Sequence, residues 1–181
     1  MTDEPAPIAT SPVWASDDRV STPKLGGERE LLIAFLEYHR RTFELKCLGV
    51  PPGRLSERGA PPSTMSLHGI VRHLAAVERW WFQIQFTGAD VPMLYYTDDN
   101  PDLDFEGLDD DVTVDLEAWR TECAKSREIT AAAALDDTGL TKASGQPFTL
   151  RWLLIDMATE YARHCGHADL LREAIDGTTG L

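Results

Sequence analysis

Cysteine, basic charge and long apolar runs are all scarce in this chain. Only three cysteines occur, Cys47, Cys123 and Cys165, an odd count without a CxxC pair, which argues against a disulfide framework and fits a reducing compartment. Lys and Arg number 17 against 30 Asp and Glu, a formal charge of −13, so electrostatic docking to nucleic acid or to an anionic membrane is not expected. No apolar stretch approaches the roughly 20 residues that cross a bilayer. No basic segment followed by an apolar one marks a secretory signal, and the expected location is cytoplasmic. What is present is ordinary for a globular protein: 43% hydrophobic and 26% charged residues over 181 positions, enough for one domain with a single substantial core.

Residues 1–27 are rich in Pro, Ser, Thr and Asp without periodicity, and read as a mobile arm with Val13-Trp14 as a hydrophobic tether. Four amphipathic helices follow. The first is expected from about Glu28 to Leu48, with Leu32, Phe35, Leu36, His39 and Phe43 on one face. After a Pro-rich link from Pro51 to Pro62, the second opens at Ser63 or Ser66 and runs to about Phe86, with the seam Ile70, His73, Val77, Trp80, Ile84. An acidic loop leads to a third, from about Thr113 to Leu135, whose inner candidates are Leu116, Trp119, Cys123 and Ile129. The link from Asp136 to Pro147 is turn-rich. Thr149 then caps a fourth helix that reaches Ile175 and is stopped by Gly177, leaving 177–181 as a C-terminal tail. With no convincing strand pattern and no internal repeat, the predicted fold is all-α, a four-helix bundle over residues 28–176, whose core is the usual place for metal sites built from facing helices.

The last helix carries an anomaly. Leu153, Met157, Glu160, His164, His167, Leu171 and Ala174 recur at steps of four and three, the spacing of a packed seam, yet three of them are polar. Burying such groups without partners costs roughly 2–7 kcal/mol for a neutral one and more for a charge, so the cluster calls for something to bind. Glu160 and His164 at i and i+4 have Cβ atoms about 5–6 Å apart and can chelate one ion. His73 occupies a core slot of the second helix and is the third ligand best placed by pattern. Two imidazoles and one carboxylate leave coordination positions open, and suit Zn first, then Ni or Fe, better than Mg or Ca. His167, one turn beyond His164, is a fourth ligand, a partner that orients a ligand, or a catalytic general base; the last two are favoured. A buried Glu–His hydrogen-bond network is the metal-free alternative.

Two segments resemble the DinB/YfiT-like superfamily of metal-binding four-helix bundles, which includes the mycothiol-dependent maleylpyruvate isomerases. Leu67-His68-Gly69-Ile70-Val71-Arg72-His73-Leu74-Ala75-Ala76-Val77-Glu78-Arg79-Trp80 is similar to the second-helix segment with its HLA and following E-x-W pattern. Glu160-Tyr161-Ala162-Arg163-His164-Cys165-Gly166-His167-Ala168-Asp169-Leu170 is similar to the final-helix segment. The resemblance extends from about Glu28 to Ile175. It implies a divalent metal held by His73, Glu160 and His164, and Glu at the first position of the last-helix pair looks more like the mycothiol-dependent isomerases than like members with His there. It further implies mycothiol or a related thiol as cofactor, with the thiolate as nucleophile.

The expected activity is therefore thiol transfer to a small electrophile, or hydrolysis at the same metal-activated centre. Two alternatives belong to other classes: a non-catalytic metal-binding or stress-response bundle acting through oligomerisation or a partner, and a ligand-binding bundle without metal. A homodimer is the expected assembly, with the exposed part of Trp80 or Trp81 as its face in the non-catalytic reading. The remaining candidates receive plainer readings. His39 is taken as a partly exposed position, His68 as a helix-start residue without chemistry, Arg72 and Arg163 as surface charge, and Trp80-Trp81 as core and interface. Cys165 points about 100° from His164 and reads as a small buried residue. Between Asp98 and Glu117 lie ten carboxylates and no Lys or Arg. There Asp102, Asp104, Glu106 and Gly107 match positions 1, 3, 5 and 6 of an EF-hand loop, but position 12 is Thr113 rather than a bidentate Glu, so the segment is expected to be a solvated connection.

Overall fold

Side-chain caps set where the helices begin. In a computed structural model, which describes residues 17–108 and 111–179, α1 spans Glu28–Cys47, α2 Leu67–Glu78, α3 Thr113–Ala132 and α4 Leu150–Asp176. Ser66 Oγ accepts from Gly69 N and opens α2, while Thr149 Oγ1 accepts from Trp152 N and opens α4; each satisfies a helix-end N–H that has no partner within the helix. Gly177, at φ 76°, ends α4 in the left-handed conformation open to glycine. α1 lies against α4 and α2 against α3, giving the all-α four-helix bundle. No helix among the described residues is long and apolar enough to cross a membrane. The Val13-Trp14 pair lies outside the described residues. Arg19, within the segment that precedes α1, donates to Thr42 Oγ1 at 3.1 Å and covers the Tyr38 ring.

Two local features depart from the predicted helices. After Glu78 the second helix continues as a π-helical stretch, Arg79–Phe86, whose wider turn shifts the register of everything after it. Trp80 thereby stays at the bundle surface, while Phe82, Ile84 and Gln85 turn into the core. The expected turn-rich link after α3 instead forms a small antiparallel hairpin, β1 Thr138–Leu140 with β2 Pro147–Thr149. Strands of three residues are too short to show an alternating pattern. The hairpin packs so closely on the π-helical stretch that a Cβ at Gly139 would lie 2.5 Å from Phe86 Cα.

The core joins Leu36 and Phe43 of α1, Ile70, Val71 and Leu74 of α2, Trp119 of α3, and Leu153, Met157 and Tyr161 of α4. Phe35, expected inside, is 47% exposed; the inner positions are Leu36 and, one turn after it, Arg40. Arg40 grips Glu78 with two hydrogen bonds of 2.8 and 2.7 Å, and Tyr161 donates to the same carboxylate at 2.7 Å. Trp119 Nε1 in turn donates to the Tyr161 hydroxyl at 2.8 Å. This network ties all four helices together, because a buried charge is tolerated only when paired and hydrogen-bonded. On α4 the inward stripe is displaced from the expected one: Tyr161, Cys165 and Ala168 are buried, Ala174 is exposed, and Glu160 and His167 flank the stripe half-buried.

Candidate metal centre

Helix α2 brings His73, and α4 brings Glu160 and His164, to one cleft at the edge of the core. Their ligand atoms all lie within 4.8 Å of one another, the arrangement needed to hold one metal ion. The orientation is specific. His73 Nε2 sits 3.2 Å and His164 Nε2 3.1 Å from the same oxygen, Glu160 Oε1, so two imidazoles from two helices converge on one carboxylate oxygen. Each imidazole is also held by its other nitrogen: His73 Nδ1 donates to Asp104 Oδ2 at 2.8 Å, and His164 Nδ1 lies 3.4 Å from His167 Nδ1. The bond to Asp104 orients the His73 ring; both Nε2 atoms here donate to Glu160, and a bound ion would take the place of those protons. A closed Cys-rich structural site is absent among the described residues, and the donor set of two imidazoles and a carboxylate suits Zn, Ni or Fe.

The electrostatics agree with this placement. Hydrogen bonds from His164 and His73 hold the Glu160 carboxyl far below the usual carboxylate range, so it is an anion at neutral pH. Burial disfavours the charged form of His73, but its bonds to Asp104 and Glu160 outweigh that and raise its pKa to about 9. Burial, followed by the nearby His164, lowers the pKa of His167. Arg163 pairs with Glu160 at 3.3 Å from an exposed position. None of the cysteines offers a nucleophile: all three are buried, and burial pushes the Cys47 and Cys165 thiols up to about 12 and that of Cys123 higher still. A thiolate in this cleft would have to come from a bound cofactor.

Several residues have roles that their sequence positions did not suggest. Asp104, assigned to a solvated connection, is only 9% exposed. The loop turns it inward because the neighbouring Phe105 ring seats on Gly69, where a Cβ would lie 2.5 Å from the ring. His68 is fully buried and does more than start α2: Ser56 Oγ donates to its Nδ1 at 2.9 Å, and its Nε2 donates to Asp115 at 2.6 Å. Arg72 is not loose surface charge, since it binds Asp115 at 2.7 Å and lies over the Tyr95 ring. Tyr95 donates to Asp115 at 2.6 Å, so Asp115 anchors the acidic loop to both α2 and α3. His39 is half-buried, as expected of a partly exposed position, and Cys165 is a small buried residue. Trp81 packs edge-on against Phe148 and Trp152, whereas Trp80 lines a cavity of about 510 Å³ that opens onto His73 and Asp104.

Comparison with known proteins gives one family. The family model described as mycothiol-S-transferase matches residues 31–177, which contain all of the bundle except the first three residues of α1, and include His73, Glu160 and His164. No curated protein and no solved structure matches the chain.

Proposed function

This chain belongs to the mycothiol-S-transferase family, within the DinB-like superfamily, and we propose that it joins mycothiol to a small electrophile at a divalent-metal centre held by His73, Glu160 and His164. The observation that carries the reading is the shared focus of the two Nε2 atoms on Glu160 Oε1. A divalent ion bound there supplies Lewis acidity, lowering the pKa of a coordinated thiol so that a nucleophile exists at neutral pH. Zinc is the first choice for this donor set, with nickel or iron next.

The chain's own residues do the rest. Asp104 orients His73. A lowered pKa keeps His167 neutral near pH 7, which suits it to take up the proton released from the thiol. The buried, protonated cysteines of the chain do not compete for the electrophile. A cytoplasmic setting and a homodimer belong to the same proposal. The second is supported by exposed apolar residues along α4, Trp152, Ile155 and Leu170, and sedimentation velocity checks it.

The test is conjugation of mycothiol to a benzylic halide. Glu160→Ala and His164→Ala are expected to lose at least about 100-fold in kcat/KM, as removal of groups that stabilise developing charge does. Parent-level turnover in both variants would refute the proposal.

A further inference from the structure

The cavity beside the cluster has a chemical character of its own. Its walls are Trp80, Met93, Leu94 and the rings of Tyr95 and Tyr96, and its charged residues besides His73 are two carboxylates, Asp104 within and Asp98 at the exposed mouth. No Lys or Arg lines it. The nearby cation Arg72 is occupied by Asp115 and by the face of Tyr95, and Arg79, at the start of the π-helical stretch, is held by Glu122 at 2.7 Å. Tyr95 adopts φ 49°, a conformation uncommon for a side chain of its size. The bond from its hydroxyl to Asp115 pins the ring in place. Backbone strain of this kind persists where surrounding contacts enforce it, and it clusters at ligand-binding positions.

We propose that this cavity takes the electrophile, and that it selects flat, apolar acceptors that are uncharged or cationic while rejecting anionic ones. The inference rests on the transferase reading for the reaction served, but the binding preference stands separately. Aromatic walls match a planar ring, and a cation gains from both the ring faces and the carboxylates. An anion meets Asp98 and Asp104 with no Lys or Arg on the walls, and the charge of His73 is already met by Asp104 and Glu160; in a partly enclosed space charge repulsion is screened less than in bulk water. In the reaction, the mycothiol sulfur forms a C–S bond to the benzylic carbon. The C–Cl bond breaks, its electron pair leaves with chloride, and the thiol proton passes by way of His167 to solvent; nothing is oxidised or reduced.

Calorimetric titration of the full chain with (4-nitrobenzyl)trimethylammonium, 4-nitrobenzyl alcohol and 4-nitrobenzenesulfonate tests the preference. The cation and the alcohol are expected to bind at least about tenfold more tightly than the sulfonate, a gap that shrinks as salt rises from about 20 to 500 mM. Asp98→Lys should narrow the gap about threefold or more. In turnover, 4-nitrobenzyl chloride should exceed 4-(chloromethyl)benzenesulfonate by a similar factor, each normalised to its uncatalysed reaction with mycothiol. Equal binding of all three probes, or displacement of the bound cation by S-methyl mycothiol, would overturn the inference. Charge-ordered binding without any mycothiol conjugation would uphold the cavity's preference and remove the transferase reading. Conjugation with no charge preference would do the reverse.

Discussion

Replacing Arg40 with methionine isolates the buried ion pair that joins α1 to α2. Arg40 has 4% of its side chain exposed and Glu78 none, so the substitution leaves a carboxylate in the core with only the Tyr161 hydroxyl and the Cys123 thiol as donors. Breaking a buried pair by removing one partner costs about 3–5 kcal/mol. The other partner of Arg40, Glu37, adds little to this, because it is half-buried and keeps Arg127 at 2.8 Å. For a domain of this size the loss corresponds to a fall of about 6–20 °C in Tm, a large part of a total stability of about 5–15 kcal/mol. Urea unfolding followed by circular dichroism reads it. Adding Glu78→Gln to Arg40→Met removes the stranded charge but keeps an acceptor for Tyr161, and should recover about half of the loss. A loss below about 1 kcal/mol for Arg40→Met, or a double variant less stable than the single one, would refute the reasoning.

Three further outcomes follow from the same geometry. Asp104→Asn keeps an acceptor for His73 Nδ1 but removes its charge, and should weaken metal affinity about 10–100-fold in a competitive chelator titration, with the fold intact. Gly69→Ala places a methyl group against Phe105 and displaces the loop that carries Asp104; it should weaken the metal in the same assay, whereas Gly27→Ala, with open space at its Cβ and no positive φ, should not. Burial opposes ionisation of Asp115, but bonds from Tyr95, His68 and Arg72 outweigh it and lower its pKa. Its stabilising contribution is therefore complete above the unfolded value near 3.8 and is lost as pH falls through the folded one. The urea midpoint should drop on acidification below about pH 4, and Asp115→Asn should flatten that drop.

The parts of the fold that were readable from sequence are those governed by local chemistry. Ser66, Thr149 and Gly177 announce helix ends because a cap depends only on the next few residues. The clustering of His73, Glu160 and His164 was readable because Glu160 and His164 are one helical turn apart, and because a polar residue in an apolar stripe is conspicuous. The rest depends on partners distant in sequence. Arg40 and Glu78 are 38 positions apart, and each taken alone is a residue type usually found outside. Tyr161 falls on the apolar spacing of α4, but the stripe was centred one residue away from it. Within a run of ten carboxylates, nothing local distinguishes Asp104; only the seating of Phe105 on Gly69 turns it toward His73. The π-helical turn and the three-residue strands lie below the length at which a period becomes visible.

Elemental analysis of the chain purified without a His tag tests the central claim most directly. The account predicts about one equivalent of a divalent transition metal in the parent and little in Glu160→Ala and His164→Ala, since metal affinity depends on the full ligand set. Equal metal content in all three proteins, or none in a parent incubated with zinc and then dialysed, would contradict it.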